Sequence, residues 1–553
     1  MAEGKKSMKG FYGVTFLIGI GFFTMGLMDP LYDNYVPILL SGYIRSKGVI
    51  GTIMTLDNIF AIFLIPIVSA LSDRTSTKIG RRMPYILVTL PLTGIFFGLI
   101  PFAALKSLAF LIIAIFFLNI FKQSARGPVV ALMPDTVPGD IRSEANGVIN
   151  TMGGIAAIVG TVGLARLWDL SVELPVIGNT AKKLPFLISG LLVILATILL
   201  FLFVKEKQRS EDEKREPILA SLKLVLGSKE KSAFYILLSL LLWFLAYQGL
   251  LPFIGMYSKD ILGTSGGTAA LSSGMFAVAY AIFAIPSGKL AHRYGRKRVI
   301  RVALVAMTIL SFILFLHAVF TRPPLLAPST LQASTFERDI LSSIPEENTD
   351  DRDFLLKVYK KEGDSYILDP EIKDDDRIKA YNIIKFTEYI PESIPRALME
   401  EKILPRLSEE KQTIVRDNYE LKGGVYEYLY ASGGNEGMRE SLKEILNASI
   451  ASSGLTLYSY WALLFIFGMF WVTVVTNSFP MLWQMATYGN MGIYTGLYYT
   501  FSQAASILAP PITGFIIDLT SFRGIYIYSA VCMFGAFLTM GLVKKGEVGQ
   551  LPE

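Results

Sequence analysis

Long apolar runs alternate with short polar turns along almost the whole chain. A helix that crosses a bilayer needs about 20 mainly apolar residues. Runs of that kind lie at Phe11–Leu39, Val49–Leu71, Met83–Phe102, Leu108–Met133, Ser143–Leu167, Leu184–Val204, Ser232–Tyr257, Thr268–Ala291, Val299–Phe320, Thr456–Phe479, Gly492–Ile517 and Gly524–Val543. Two stretches break the rhythm. Lys205–Lys231 is charged and low in apolar content, which predicts a cytoplasmic linker. Arg322–Leu455 is too polar to span and too long for a simple turn. Its segments RDFLLKVYKKE and SIPRALMEEKILPRLSEEKQTIVRDNY show helical spacing with Pro and Gly between them. The pattern predicts an all-α membrane protein with twelve transmembrane helices in two six-helix halves. A soluble, mostly helical insert separates helices 9 and 10. The expected divisions are 1–204, linker 205–231, 232–321, insert 322–455 and 456–553.

Turn composition orients the bundle. SALSDRTSTKIGRRMPYI, Ser69–Ile86, lies between two apolar runs and carries Asp73, Arg74, Lys78, Arg81 and Arg82. GKLAHRYGRKR, Gly288–Arg298, follows about 215 residues later, again after the second run of its half, a spacing that suggests a repeated bundle. Basic turns stay on the cytoplasmic side, and the alternate turns, such as AALKS and LGTSGG, are poor in charge. Both tails are therefore expected inside and the insert outside. The basic start MAEGKKSMKG precedes a run that continues past the roughly 7–15 apolar residues of a secretory signal, so it reads as an uncleaved first helix. Asn447-Ala448-Ser449 in the insert forms a glycosylation sequon.

Composition narrows the chemistry. The 553 residues are 52% apolar and 18% charged, with mean hydropathy +0.47, against about 25% charged for a soluble protein. The net charge of +6 hides a split, because the insert holds roughly 26 acidic against 18 basic residues. The basic excess sits in short turns and tails, which is a topology signal and not a nucleic-acid footprint. One cysteine, Cys532, excludes an internal disulfide, and two histidines, His292 and His317, make zinc or haem chemistry unsuited to this chain. There is no Walker loop, nucleophile elbow or metal-ligand spacing, so neither enzymatic turnover nor a cofactor is expected.

Ionisable groups inside spans are costly and therefore functional candidates. Asp29 and Asp33 lie four apart on one face of the first helix, flanking Tyr32; Asp57 and Asn58 lie in the second; Lys122, Gln123 and Arg126 in the fourth; Asn146 and Asn150, four apart, in the fifth. Asp29, Asp33 or Asp57 with Lys122 or Arg126 make a candidate ion-coupling site, since a carboxylate beside a cation can tie proton loading to closure. Tyr32, Asn58, Gln123, Asn146 and Asn150 are candidate solute ligands. In the second half Trp243, Tyr247 and Gln248 of the seventh helix, with Tyr498 and Gln503 of the eleventh, join them. Asn477 belongs to the cavity or an inner gate. Pro66, Pro286, Pro510 and Pro511 mark kinks.

The two basic turns resemble the signature of the major facilitator superfamily, Gly-x-x-x-Asp-Arg-x-Gly-Arg-Lys. The first has Ser69 in the leading position, then Asp73-Arg74, and five residues before Gly80-Arg81-Arg82 in place of one. That spacing, followed by Pro84-Tyr85-Ile86, resembles the sucrose-carrier group and the related glycoside–pentoside–hexuronide cation symporters. So does SARGPVVALMPDTVPGDIRSEANGVINTMGG, Ser124–Gly154. The second turn has His292 where the superfamily usually has Asp, and Gly127-Pro128 is followed by Val129-Val130 where plant sucrose carriers place Gly-Pro-Cys-Arg. The resemblance implies alternating access, with Asp73, Arg74, Gly80, Arg81, Arg82, Arg142, Arg293, Gly295 and Arg296 forming a cytoplasmic gate. It implies symport of a sugar or glycoside with a cation, a proton in preference to sodium, in the cell membrane. The alternatives are a carrier for another amphipathic solute, lipid-like or drug-like, and a transporter-like receptor whose insert binds a partner.

Overall fold

The computed structural model describes residues 10–137, 142–175, 177–206, 231–321, 327, 330–333, 335–342, 344, 349–386, 393–396, 399–429, 442, 454–483 and 491–544. Among them are twelve helices long and apolar enough to cross a membrane. The sequon at Asn447 and most of the linker lie outside the described residues. Contacts within the chain define two units, Met1–Met256 with Ser265–Leu316 and Tyr460–Glu553, and Tyr257–Thr264 with His317–Ser459.

In the first unit, span 1 is α1 (Tyr12–Tyr43) and span 2 is α2 (Lys47–Met54) followed by α3 (Leu56–Arg74). Spans 3 and 4 are α4 (Met83–Lys106) and α5 (Leu108–Thr136). Span 5 is α6 (Arg142–Ile158), which runs through a π-helical turn at Val159–Leu164 and a 3-10 turn at Ala165–Trp168. A short ribbon of β1 (Glu173–Leu174) and β2 (Gly178–Asn179) precedes span 6, α7 (Leu184–Phe203). The second half has α8 (Ser232–Asp260), α9 (Gly266–Tyr294), α10 (Arg296–Phe320), α14 (Gly454–Trp483), α15 (Met491–Leu519) and α16 (Gly524–Gly541) as spans 7 to 12.

Local chemistry sets the helix ends. The Ser46 hydroxyl accepts from the Val49 amide at the start of α2, Ser107 from Phe110 at the start of α5, and Ser265 from Thr268 at the start of α9; each satisfies an amide that the helix itself leaves unpaired. Span 2 is not the single helix its apolar run predicts. It breaks at Thr55, whose hydroxyl donates back to the Thr52 carbonyl, and Asp57 then falls in the first turn of α3, where a carboxylate suits the helix dipole.

The second unit contains the last turn of α8 and two similar modules. In the first, α11 (Thr349–Val358) runs straight into β4 (Tyr359–Glu362), a two-residue turn leads to β5 (Ser365–Leu368), and β3 (Thr330–Gln332) pairs with the far side of β5. Helix α12 (Asp374–Phe386) follows. In the second, α13 (Glu409–Asn418) runs into β7 (Tyr419–Lys422), then β8 (Val425–Tyr428), with β6 (Ser393–Pro395) on the far side. Both sheets are antiparallel with the hairpin's second strand in the middle. Tyr366 donates to Glu337 at 2.8 Å and Tyr426 to Glu400 at 3.1 Å. The same spacing of 60 residues relates Tyr359 to Tyr419 and Tyr366 to Tyr426. We read this as an internal duplication.

Among the described residues the unit has more helix than strand, as the spacing suggests, with two small sheets that the spacing did not predict. Two of the helices, α11 and α13, each tail into a four-residue strand too short to outweigh a helical pattern. The hairpin signal was the glycine turn at Gly363-Asp364 and Gly423-Gly424. The core gathers Phe336, Leu355, Tyr359, Ile394, Val415 and Tyr419. The end of α8 is held by Lys259 at 3.0 Å from Asp351 and by Asn382, which donates to the Asp260 carbonyl at 2.6 Å.

Candidate functional site

The polar groups of the first half converge around Lys122. Asn119, Lys122, Gln123 and Arg126 share one face of α5 by their three- and four-residue spacing. The Lys122 ammonium is buried, 6% exposed, and lies 2.6 Å from Asp29, which is 38% exposed, and 5.1 Å from the centre of the Tyr32 ring. Asn119 donates to the Tyr32 hydroxyl at 3.0 Å. Asp57 accepts from the Asn58 amide at 2.6 Å and from the Asn58 side chain at 2.8 Å. Asp57 and Asp29 both interact electrostatically with Lys122 and Arg126, and Arg126 itself is exposed. Asp33 interacts with Asp57, Asp29 and Lys122, and also with Tyr247 of the second half.

Three carboxylates thus meet two cations. The acceptor oxygens of Asn119 and Gln123 are buried with no partner among the described residues. Such oxygens are costly unless something donates to them. Asn119 was absent from the sequence candidates although it sits one turn before Lys122 on the same face, a signal that was there to read.

The second half supplies a wall of rings. Tyr247 stacks on Trp471 at 3.9 Å with 10° between planes. Phe276 meets Tyr247 edge-on at 5.5 Å, and Phe244 meets Trp471 at 5.4 Å. Tyr498 is buried against Phe479 and shares a hydrogen bond of 3.2 Å with Ser478. Gln248 donates to Ser506 at 2.6 Å, and Gln503 is half-buried. Trp243 is fully buried and packs inside the bundle. Asn477 donates to the Thr473 carbonyl at 2.8 Å and to Ser287 at 3.4 Å. The side chains of Arg142, Asn146 and Asn150 lie outside the described residues.

At the end of the bundle that carries the basic turns, Arg82 is buried and forms a clasp inside its own half. It bonds Asp135 at 3.0 Å, Ser72 at 2.5 Å and the Ser69 carbonyl at 3.2 Å, and pairs with Asp73, whose side chain is 50% exposed. Arg81 reaches Asp135 at 2.6 Å and Glu206 at 3.6 Å, and the Arg82 amide donates to Glu206 at 2.9 Å. Burial pushes the Glu206 carboxyl up, and the bond to Asp135 holds the Arg81 guanidinium above its usual value. Arg74 and Arg293 are exposed, Arg293 over the Tyr294 ring, and Arg296 donates to the Pro480 carbonyl at 3.3 Å. Gly295 ends α9 at φ +89°.

Asp135 and Glu206 were missed: each stands on a different segment from the turn it grips. Gly80 has φ +111°, and a β-carbon there would fall 2.2 Å from the Glu206 carboxylate. Strain of that kind costs about 1–3 kcal/mol. Gly80→Val is therefore expected to lower the melting temperature of the purified protein, and Gly288→Val, which meets no atom within 4 Å, is not.

The opposite end is closed by contacts between the halves. Asp518, at the C-terminal end of α15, accepts from the Ser46 hydroxyl at 2.5 Å and from the amides of Lys47 and Gly48 at 2.7 and 2.9 Å, capping α2. Asp169, just after the fifth span, accepts from the Ser265 hydroxyl at 2.7 Å and the Gly267 amide at 3.1 Å, capping α9. Ser273 donates to Asn34 at 2.6 Å between them. A β-carbon on Gly51 would meet the Pro510 carbonyl at 2.2 Å, so α2 and α15 touch backbone to backbone there. The two clamps obey one rule. A carboxylate at the end of the fifth helix of each half caps the second helix of the other.

This constellation of repeated halves can be set beside known proteins. The family model described as Major Facilitator Superfamily matches residues 12–334. The chain belongs to the major facilitator superfamily. It is a multi-pass membrane transporter and not an enzyme. Over 319 residues it is 27% identical to a multi-drug resistance efflux pump PmrA homolog of Lactococcus lactis subsp. lactis, covering 56% of this chain and 73% of that one. Among solved structures it is similar to a bacterial homolog of the human lysosomal transporter Spinster, at 12% identity, 97% coverage of both chains and TM-score 0.46. It is also similar to the nucleoside transporter NupG, at 11% identity, coverage of 95% and 99%, and TM-score 0.44.

Proposed function

We propose that this chain is a secondary transporter that moves a small amphipathic solute by alternating access and draws on a proton gradient through the carboxylates of α1 and α3. The observation that carries the reading is the charge count around Lys122. Among the described residues, the cations that act on Asp29, Asp33 and Asp57 are Lys122 and Arg126, and a proton is the smallest cation that balances the third acid. Asp29 is committed to Lys122 by direct contact, and Asp57 is held by Asn58. Asp33 is the one we assign to the proton, because its neighbour Asn34 accepts from Ser273 of the other half at 2.6 Å. Loading it changes the field at the interface that has to move.

A charged, hydrogen-bonding wall opposite an aromatic one suits a solute with a polar face and an apolar face. The relative described as a multidrug efflux pump supports that class. A sugar or glycoside coupled by symport is the second reading, supported by the spacing of the Ser69–Ile86 turn and its resemblance to the sucrose carriers. The basic-turn clasp around Arg82, Asp73 and Asp135 is the inner gate in this proposal, with both tails cytoplasmic and the protein in the cell membrane.

The test is uptake by proteoliposomes under an imposed pH gradient, with a panel of glycosides and amphipathic dyes and a pH indicator on the outside. Solute accumulation that collapses with a protonophore is expected. Asp57→Asn, which keeps an acceptor for the Asn58 amide, is expected to slow uptake yet leave it uphill. A chain that binds panel members and moves none in either direction would leave the transporter-like receptor as the better description.

A further inference from the structure

We propose that the groove between α10 and α16, at the end of the bundle that carries the basic turns, binds the phosphate headgroup of an anionic phospholipid. It is a cavity of about 510 Å³ lined by Lys297, Arg298, Arg301, Val302, Val305 and Phe537. Three of the six lining residues are cations and none is an acid. Nothing in the transport reading uses them.

The cations are held in place at different depths. Lys297 donates to the carbonyls of Gly541, at 3.2 Å, and Val543 at the C-terminal end of α16, where a positive charge suits the helix dipole. The Arg301 guanidinium lies 4.7 Å from the centre of the Phe537 ring, and its Nε is buried with no partner among the described residues. Arg298 is exposed one turn earlier. Val302 and Val305 are exposed and continue into exposed Ile309 on the same helix, an apolar track leading from the charged mouth toward the middle of the span. A phosphate diester with an acyl chain matches both parts: the phosphate meets two guanidinium groups, which bind its oxygens in a planar fork, and the chain lies along the valines. Free phosphate would use the mouth alone. Basic pockets between helices at a membrane interface are the expected form of such a site.

The experiment is native mass spectrometry on the full-length protein in detergent, with phosphatidylglycerol, phosphatidylcholine or soluble glycerol 3-phosphate added. Wild type is expected to retain phosphatidylglycerol about thirtyfold better than phosphatidylcholine, at about fivefold for each basic group engaged. Arg298→Gln, on an exposed side chain, should lose about fivefold, and the Arg298→Gln/Arg301→Gln pair nearly all of the preference. Melting temperatures in phosphatidylcholine alone check that the variants are folded. The proposal is overturned if wild type holds both lipids equally, if the folded double variant keeps the preference, or if glycerol 3-phosphate displaces phosphatidylglycerol at matched concentration, which would make this a soluble-phosphate site.

Discussion

Asp33→Asn is expected to abolish uphill accumulation in proteoliposomes and to make the remaining uptake insensitive to an imposed pH gradient, while solute exchange across the same membrane continues. The substitution keeps volume and one acceptor oxygen, so packing in α1 is preserved. What it removes is the charge that can be loaded and unloaded. Without it, Asp29 and Asp57 are matched by Lys122 and Arg126, and the gradient has nothing to act on. A ligand, here a proton, shifts a two-state equilibrium only by its differential affinity for the states. The same substitution at Asp29 predicts a different outcome. It removes the one acid in direct contact with the buried Lys122 ammonium, which should lower solute turnover by at least about tenfold in exchange as well as in uphill assays. Gradient-driven accumulation by Asp33→Asn at the wild-type level would remove Asp33 from the coupling site, and loss of exchange would make its role one of solute binding.

Much of this architecture could be read before any coordinates. A span is a local property: about 20 apolar residues between polar turns mark it wherever it packs, and all twelve runs correspond to helices. The positions of Asp29, Asp33, Asp57 and Lys122 were legible for the same reason, since a charge inside an apolar run stands out against its neighbours. Pairings were not legible. Asp518 lies in a stretch that reads only as the end of a helix, and its partner Ser46 is 472 positions away. Asp135 and Glu206 look like ordinary turn acids until the fold brings them to Arg81 and Arg82. The break at Thr55 was hidden because apolar content continues through it. In the second unit the duplicated hairpins were masked by the helices that feed them, and only the glycine turns after β4 and β7 carried the strand signal.

The two clamps at the closed end set the second large effect. Asp169→Ala/Asp518→Ala is expected to open that end. Each carboxylate caps a helix of the opposite half, and losing a cap costs about 0.5–2 kcal/mol. Together the two losses amount to about 1–4 kcal/mol, which is enough to move a conformational ratio by roughly fivefold to a thousandfold. The position of Asp518 says that this contact is functional. A negative charge at the C-terminal end of its own helix is unfavourable, so within α15 alone the residue is misplaced. It becomes favourable only while the N-terminus of α2 is opposite. Spin labels at Val49→Cys and Leu519→Cys, both exposed positions, on a Cys532→Ser background, read the separation directly. Wild type should give a single short distance, and the double alanine variant a longer population. Asp169→Asn/Asp518→Asn should fall between, because asparagine caps a helix about as well as aspartate but lacks the charge and one of the two acceptor oxygens that Asp518 uses. Identical distance distributions in all three proteins would mean that Gly51 against Pro510 and the Asn34–Ser273 contact hold the end shut without help. The carboxylates would then be passengers on a closure made by backbone packing.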